Sequence, residues 1–327
     1  MAGWDSVPWM VGGGAQHSAE VARVLAYVAC RGNEGVVAAG DLTVRALAVP
    51  GGSVTVSPGA CSILCRATGQ MHQAYTGRNT TDDPVPIPAT TSSGGRSDLI
   101  IARVEDPWLA GEPWPDPTDP TVGPYIRSVR VPGVPAGTTT LAQLGLGYTG
   151  IELARIDIPP STGTFTQAMI KDLRKIANPR RERRVVVSSP AANDDVTSTT
   201  VWKDWPGVAV KSVAVPSWAT QVKMTTHVGG ALIYNDKTDG YLRNRIGAAT
   251  FGQETRFDTN SAVAGNGIDR TLMTADELAI PASLRGTSVP IALQAILSLR
   301  GSSGTGLLRG YQGTTVVSDL EFVEVPE

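Results

Sequence analysis

Hydrophobic positions change period along this chain, and the change marks its elements. Near the N-terminus Val21, Val24, Leu25 and Val28 recur at i, i+3, i+4 and i+7, one face of a helix. Ser18 stands where a cap belongs, Glu20 falls in the first turn, and Gly32-Asn33 supplies a stop. The pattern then switches to period two. Leu42–Val49 and Ser53–Ser57 read as strands closed by Pro50-Gly51-Gly52 and Pro58-Gly59. Ala60–Leu64 and Gln73–Tyr75 are weaker strands, and residues 80–97 read as a loop. Asp98–Asp106 reads as a buried strand with a polar exit, Pro107–Pro124 as a proline-rich loop, and Tyr125–Val131 and Ile151–Ile158 as strands. From Thr164 to Asn178, Met169, Ile170, Leu173, Ile176 and Ala177 predict a second helix that stops at Asn178-Pro179.

Beyond the polar segment Ser188–Asp195 the pattern is nearly all β. Strands are predicted at Val196–Trp202, Val208–Val215, Thr220–Val228, Ala231–Asn235, Gly240–Ile246, Thr255–Asn260, Arg270–Ile280, Val289–Leu299, Thr305–Arg309 and Thr315–Val325. Turn signals between them recur at short spacing, as in a β-sandwich or jelly roll. The expected fold is mainly β with two helices: an N-terminal α+β assembly domain over 1–187, a linker over 188–195 and a C-terminal β-sandwich over 196–327.

Composition narrows the functional classes. The 327 residues are 41% hydrophobic, with 36 glycines and 23 prolines, which suits turn-rich globular domains. A net charge of -2 gives no field toward nucleic acid, and neither half carries a basic excess. No stretch approaches the ~20 apolar residues of a membrane span, and the N-terminus has no secretory pattern. Cys30, Cys61 and Cys65 are too few and too irregular for a disulfide framework, and His17, His72 and His227 are scattered. Buried free thiols and synthesis in a reducing cytoplasm are expected, with no metal and no cofactor.

Candidate chemistry is sparse. Gly12-Gly13-Gly14 before a helix invites a phosphate, but no Lys and Ser/Thr follow in the order a phosphate loop needs. The acidic loop Glu105, Asp106, Glu112, Asp116 and Asp119 could hold a glycosidase carboxylate pair or Ca²⁺, yet it matches neither spacing. No Gly-x-Ser-x-Gly elbow is present, so no enzyme is expected. Seven Lys/Arg between Lys171 and Arg184 lack interleaved aromatics, and Arg180 and Arg181 are expected at a helix end, pairing with a neighbouring subunit or complementing the helix dipole. Trp202, Trp205 and Trp218 are either core residues or sugar-stacking platforms. The turn with Asn235, Asp236 and Asp239, followed by Tyr241 and Arg243, is the ligand candidate, because it puts polar groups on a loop carried by a rigid scaffold.

Several stretches share a further likeness. They are Trp9–Arg23, Ala48–Val54, Arg96–Pro107, Leu153–Pro159 and Ile170–Arg174. In order, over most of 1–187, the chain resembles minor tail proteins of siphophages that infect actinobacteria, and more loosely their β-sandwich tips beyond. The resemblance implies a virion protein at the tail tip or baseplate, typically homotrimeric. Its N-terminal part would dock on other tail proteins and its C-terminal part would face the host; the Tyr241 and Arg243 group on its β scaffold makes a cell-envelope glycan the expected contact. It implies no catalytic residues. Val21, Val24, Leu25 and Val28 then become an assembly stripe, and a tail-associated glycan hydrolase or a plain spacer is the alternative.

Overall fold

The computed structural model describes residues 18–106, 108–109, 119, 125–259 and 267–327. The Gly12-Gly13-Gly14 arm, Glu112 and Asp116 lie outside the described residues. The chain is mainly β and divides into two compact units, 1–179 with 326–327, and 180–325.

The first unit opens with α1 (Ala19–Ala29), capped where the sequence indicates, since the Ser18 hydroxyl accepts from the Val21 amide at 3.4 Å. Ten strands follow: β1 (Gly35–Val36), β2 (Val44–Ala46), β3 (Ser53–Val56), β4 (Gly59–Leu64), β5 (Ala74–Asn79), β6 (Asp83–Pro86), β7 (Arg96–Val104), β8 (Ile126–Val134), β9 (Gly150–Ile158) and β10 (Ile170–Asp172). They form antiparallel sheets ordered β1-β4-β5, β2-β3-β6 and β10-β9-β7-β8. The last sheet is covered on both faces. Ile100, Ala102, Leu153 and Ile156 join the main core with Val54, Val56 and Ile63, while Leu99, Ile101, Val131 and Leu141 form a second cluster. Burial on both sides explains why β7 reads as an unbroken apolar run rather than an alternating one.

Three expectations are corrected here. The stretch from Thr164 to Asn178 is not a helix; it is a short 3₁₀ turn, Gln167–Met169, followed by β10 paired with β9. Its apolar residues still face the core, but the conformation is set by Arg174, whose side chain is fully buried. That guanidinium binds the Asp172 carboxylate at 2.7 Å and the backbone carbonyls of Ala39 and Asp41 at 2.9 and 2.6 Å. Extended backbone brings these acceptors together; a helix here would leave a buried charge unpaired. Residues 80–97, expected as a loop, include β6, an edge strand where Pro84 and Pro86 are tolerated. The third correction is the boundary. Arg181–Ser188 belongs to the second unit, pairing along its length with Thr315–Val323, so 188–195 is a connection inside that unit.

The second unit is a two-sheet sandwich. Its strands are β11 (Arg181–Ser188), β12 (Asp194–Val196), β13 (Lys203–Asp204), β14 (Lys211–Ala214), β15 (Gln221–Tyr234), β16 (Asp239–Ile246), β17 (Thr250–Phe251), β18 (Thr255–Phe257), β19 (Gly267–Ala279), β20 (Ser288–Leu299), β21 (Leu307–Gly310) and β22 (Thr315–Val323). One sheet is built on β15, which has β19 along one edge and β22 then β21 along the other. The second is built on β20 and β16, flanked by β13 and β14 on one side and β17 and β18 on the other. Val228, Ile233 and Val316 of the first sheet pack with Leu242, Leu293 and Leu297 of the second. A smaller cluster joins Met224, Leu320 and Phe322 to Ile246 and Ile291.

Candidate functional site

Strand β16 positions the best candidate site. Leu242, Asn244 and Ile246 turn into the sandwich and are buried, so Tyr241, Arg243 and Arg245 occupy the outer face. The inward Asn244 is satisfied: its amide accepts from the Thr226 hydroxyl at 2.7 Å and donates to Asp276 at 2.7 Å and to the Met224 carbonyl at 3.2 Å. The outer face therefore rests on a strand locked from below.

Outside, Arg243 lies between two rings, with its guanidinium carbon 4.0 Å from the Trp202 centroid and 4.1 Å from that of Phe251. Its Nε donates to Gln294 Oε1 at 2.9 Å, and the Gln294 amide donates to Asp204 at 2.9 Å. Asp204 also accepts from Arg245 Nη2 at 2.7 Å. A rigid chain of polar groups thus runs across the open sheet from Arg245 to Arg243. Arg245 is held by the Asp204 carboxylate, whereas the Arg243 Nη1 group faces the Glu254 carboxylate at 3.9 Å. Desolvation between the rings presses the Arg243 pKa below its ordinary value, with Glu254 opposing. Phe251 remains 40% exposed.

The other sequence candidates are dispersed. Asn235 adopts a left-handed turn conformation (φ 74°), and Asp236 accepts from the Ser303 amide and hydroxyl at 3.0 and 2.6 Å, which ties this turn to the 301–305 loop. Asp239 is nearly buried against Arg256 at 3.0 Å and the Ser298 hydroxyl at 3.2 Å. The structure thus gives Tyr241 and Arg243 a common outer face and leaves Asn235 and Asp236 at the turn. Phe251, Gln294, Asp204 and Glu254 were missed by the sequence reading, because they come from separate stretches of the chain. Of the tryptophans, Trp205 is core and donates to the Asp194 carbonyl at 2.8 Å, Trp218 lies 5.4 Å from the Arg180 guanidinium, and Trp202 joins the outer face.

In α1 the packed face is rotated from the expected stripe. Val21 is buried and Val24 half-buried, but Leu25 and Val28 are 42% and 62% exposed. Arg23 takes the inner side, donating to Gln73 at 2.6 Å and lying 5.3 Å from the Tyr75 ring. Arg180 and Arg181 are not at a helix end. Arg180 forms a fork with the buried Glu324 at 2.8 and 2.7 Å, and Arg181 reaches Glu321 at 3.6 Å. Of the acidic loop, Asp106 accepts from the Tyr75 hydroxyl and the Trp108 amide, both at 2.9 Å. Burial, then the hydrogen bond to Asp106, push the Tyr75 pKa up. The first unit also has an open cavity of about 680 Å³ lined in part by Leu42, Cys61, Ala102 and Leu153. Burial pushes the Cys61 thiol up to about 11. Among the described residues no group of three or more His, Cys, Asp or Glu side chains could hold a metal ion, and no helix is long and apolar enough to cross a membrane.

No protein-family model matches the chain, and no curated protein matches its sequence. Among solved structures, the infectious bursal disease virus Gt strain aligns at 12% identity and TM-score 0.27, over 90% of this chain and 76% of that one. The VP2 subviral particle of the same virus aligns at 12% identity and TM-score 0.27, over 90% and 74%. The mosquito-larvicidal Cry4Aa toxin of Bacillus thuringiensis aligns at 8% identity and TM-score 0.15, over 90% and 54%. Superpositions this loose do not equate the folds.

Proposed function

We propose that the chain is a structural protein of a phage virion, located at the tail tip or baseplate, with its second unit contacting the host cell envelope. The observation that carries this reading is the ordered sequence resemblance through residues 1–187. The geometry adds two surfaces that such a role would use. Leu25 and Val28 leave an apolar face of α1 exposed, which suits docking on other tail proteins or on further copies in a homotrimer. The β16 outer face presents aromatic and polar groups on a rigid sheet. The role is proposed as non-enzymatic, and Asp106 of the acidic loop is engaged by Tyr75 and Trp108.

The test is attachment by the full chain. Fluorescently labelled protein is expected to decorate host cells in a saturable way, and antibody against it to label the tail tip of virions. Labelling along the tail tube or on the head would overturn the location. Absence of saturable cell binding would leave the architectural role alone. Release of reducing sugar from cell walls, abolished in Asp119→Ala, would replace the structural reading with the hydrolase.

A further inference from the structure

The Trp202–Arg243–Phe251 stack has a chemistry of its own. Several arginines of the second unit are filled: Arg309 forks onto Asp195 at 2.7 and 2.7 Å, and Arg180 and Arg245 hold comparable carboxylates. Arg243 differs. Its Nε is bonded, but its two Nη groups have no hydrogen bond among the described residues, although its side chain is only 17% exposed. The Tyr241 hydroxyl, one strand period away on the same face, likewise has no hydrogen-bond partner among the described residues. Donors held without acceptors in a desolvated position are a recognition surface waiting for acceptors.

The neighbours say which acceptors fit. Two aromatic faces, one of them 40% exposed, favour a flat, partly apolar ring. The Gln294 amide and the Tyr241 hydroxyl offer both donors and acceptors, which matches hydroxyl groups. Charge argues against an anion. Glu254 lies 3.9 Å from Arg243 Nη1, and the Arg245 cation is already neutralised by Asp204 at 2.7 Å. An incoming carboxylate or phosphate would meet Glu254.

We propose that the outer face of β16, centred on Arg243 between Trp202 and Phe251, binds a pyranose ring of an uncharged polysaccharide. The sugar stacks on the exposed Phe251 ring, and its hydroxyls accept from the Arg243 Nη groups and exchange hydrogen bonds with Tyr241 and Gln294. This rests on the envelope-contacting reading above and gives that contact a location and a ligand class.

The experiment is affinity electrophoresis of the full chain through native gels containing dextran, galactan or mannan, with alginate as the anionic comparison. Retardation is expected in at least one uncharged gel. It should weaken about tenfold in Phe251→Ala and in Arg243→Gln, and less in Tyr241→Phe, which removes only the hydroxyl. Val185→Ala, exposed on the other sheet, should migrate as the unsubstituted protein does. Unchanged thermal melting of Phe251→Ala and Tyr241→Phe separates lost binding from lost fold. Retardation in none of the uncharged gels, in alginate alone, or equally in Phe251→Ala would overturn the site. Saturable cell binding that persists in Arg243→Gln would overturn it too, while leaving attachment standing; absence of cell binding beside sugar retardation would do the reverse.

Discussion

At the residue scale, buried charges carry the sharpest consequences. Asp98 is fully buried and satisfied from three directions: Arg96 Nε at 3.0 Å, Arg130 Nη1 at 3.1 Å and the Gly133 amide at 2.9 Å. Replacing it with alanine leaves two partly exposed guanidiniums and the Gly133 amide without their buried acceptor. Asp98→Ala is expected to destabilise the protein by about 3–5 kcal/mol, read from urea denaturation. Cys61 is a different case. Its thiol is held neutral by burial, with a pKa of about 11, whereas Cys30 and Cys65 are only half-buried. Iodoacetamide at about pH 8 should modify Cys30 and Cys65 first, and Cys61 only when urea opens the core, as followed by peptide mass spectrometry. Fast labelling of native Cys61 would contradict its place in the core. The sequence reading expected free, buried thiols, but only Cys61 is sheltered, because shelter depends on Leu42 in the turn before β2 and Leu153 on β9 arriving from distant parts of the chain.

At the element scale, alternation was legible and its exceptions were not. The predicted Thr220–Val228 and Ala231–Asn235 strands are one strand, β15, interrupted by a bulge at Gly229–Gly230. Gly230 has φ +68°, and a Cβ there would sit 2.6 Å from the Gly313 carbonyl oxygen. The bulge is also where β15 exchanges β22 for β21 as its neighbour. Gly230→Ala should cost about 1–3 kcal/mol in thermal or urea unfolding, more than an ordinary surface change. The misread helix at 164–178 has the same origin as the missed bulge: a long-range partner decides the backbone. Nothing within the local sequence shows that Arg174 will reach Ala39 and Asp41. The arginine run has a plain strand role. On β11, an edge strand, it pairs across to β22, with Arg183 2.8 Å from Asp319, and its charges discourage edge-to-edge association.

At the scale of the whole molecule, acid sensitivity follows from such pairs. Arg155 beside Asp157, and Arg183 beside Asp319, hold both carboxyls below their ordinary value of 3.8. A lowered folded pKa contributes stability above the unfolded value and loses it as pH falls through the folded one. The melting temperature should therefore fall between about pH 5 and about pH 2, and the fall should be shallower in a variant carrying Arg155→Gln and Arg183→Gln. Equal slopes would assign acid unfolding to other groups. Assembly is tested separately. Leu25→Asp with Val28→Asp changes exposed positions, so stability should shift by no more than about 0.5 kcal/mol, while incorporation into virions should fall. Unimpaired incorporation would remove α1 from the docking surface. The candidate ligand site was half legible at this scale. Tyr241 and Arg243 stood out as outward residues of a regular strand, but Phe251 sits on the two-residue β17 and Gln294 on β20, and only the sheet unites them.

Strand β16 also separates two selective pressures. Positions 242, 244 and 246 answer to the interior, where Asn244 bridges Thr226 and Asp276, and positions 241, 243 and 245 answer to whatever lies outside. A lineage can rewrite the outward triplet and its ring partners without renegotiating the core. On such a strand the outer surface can change in small steps while the architecture beneath it stays fixed.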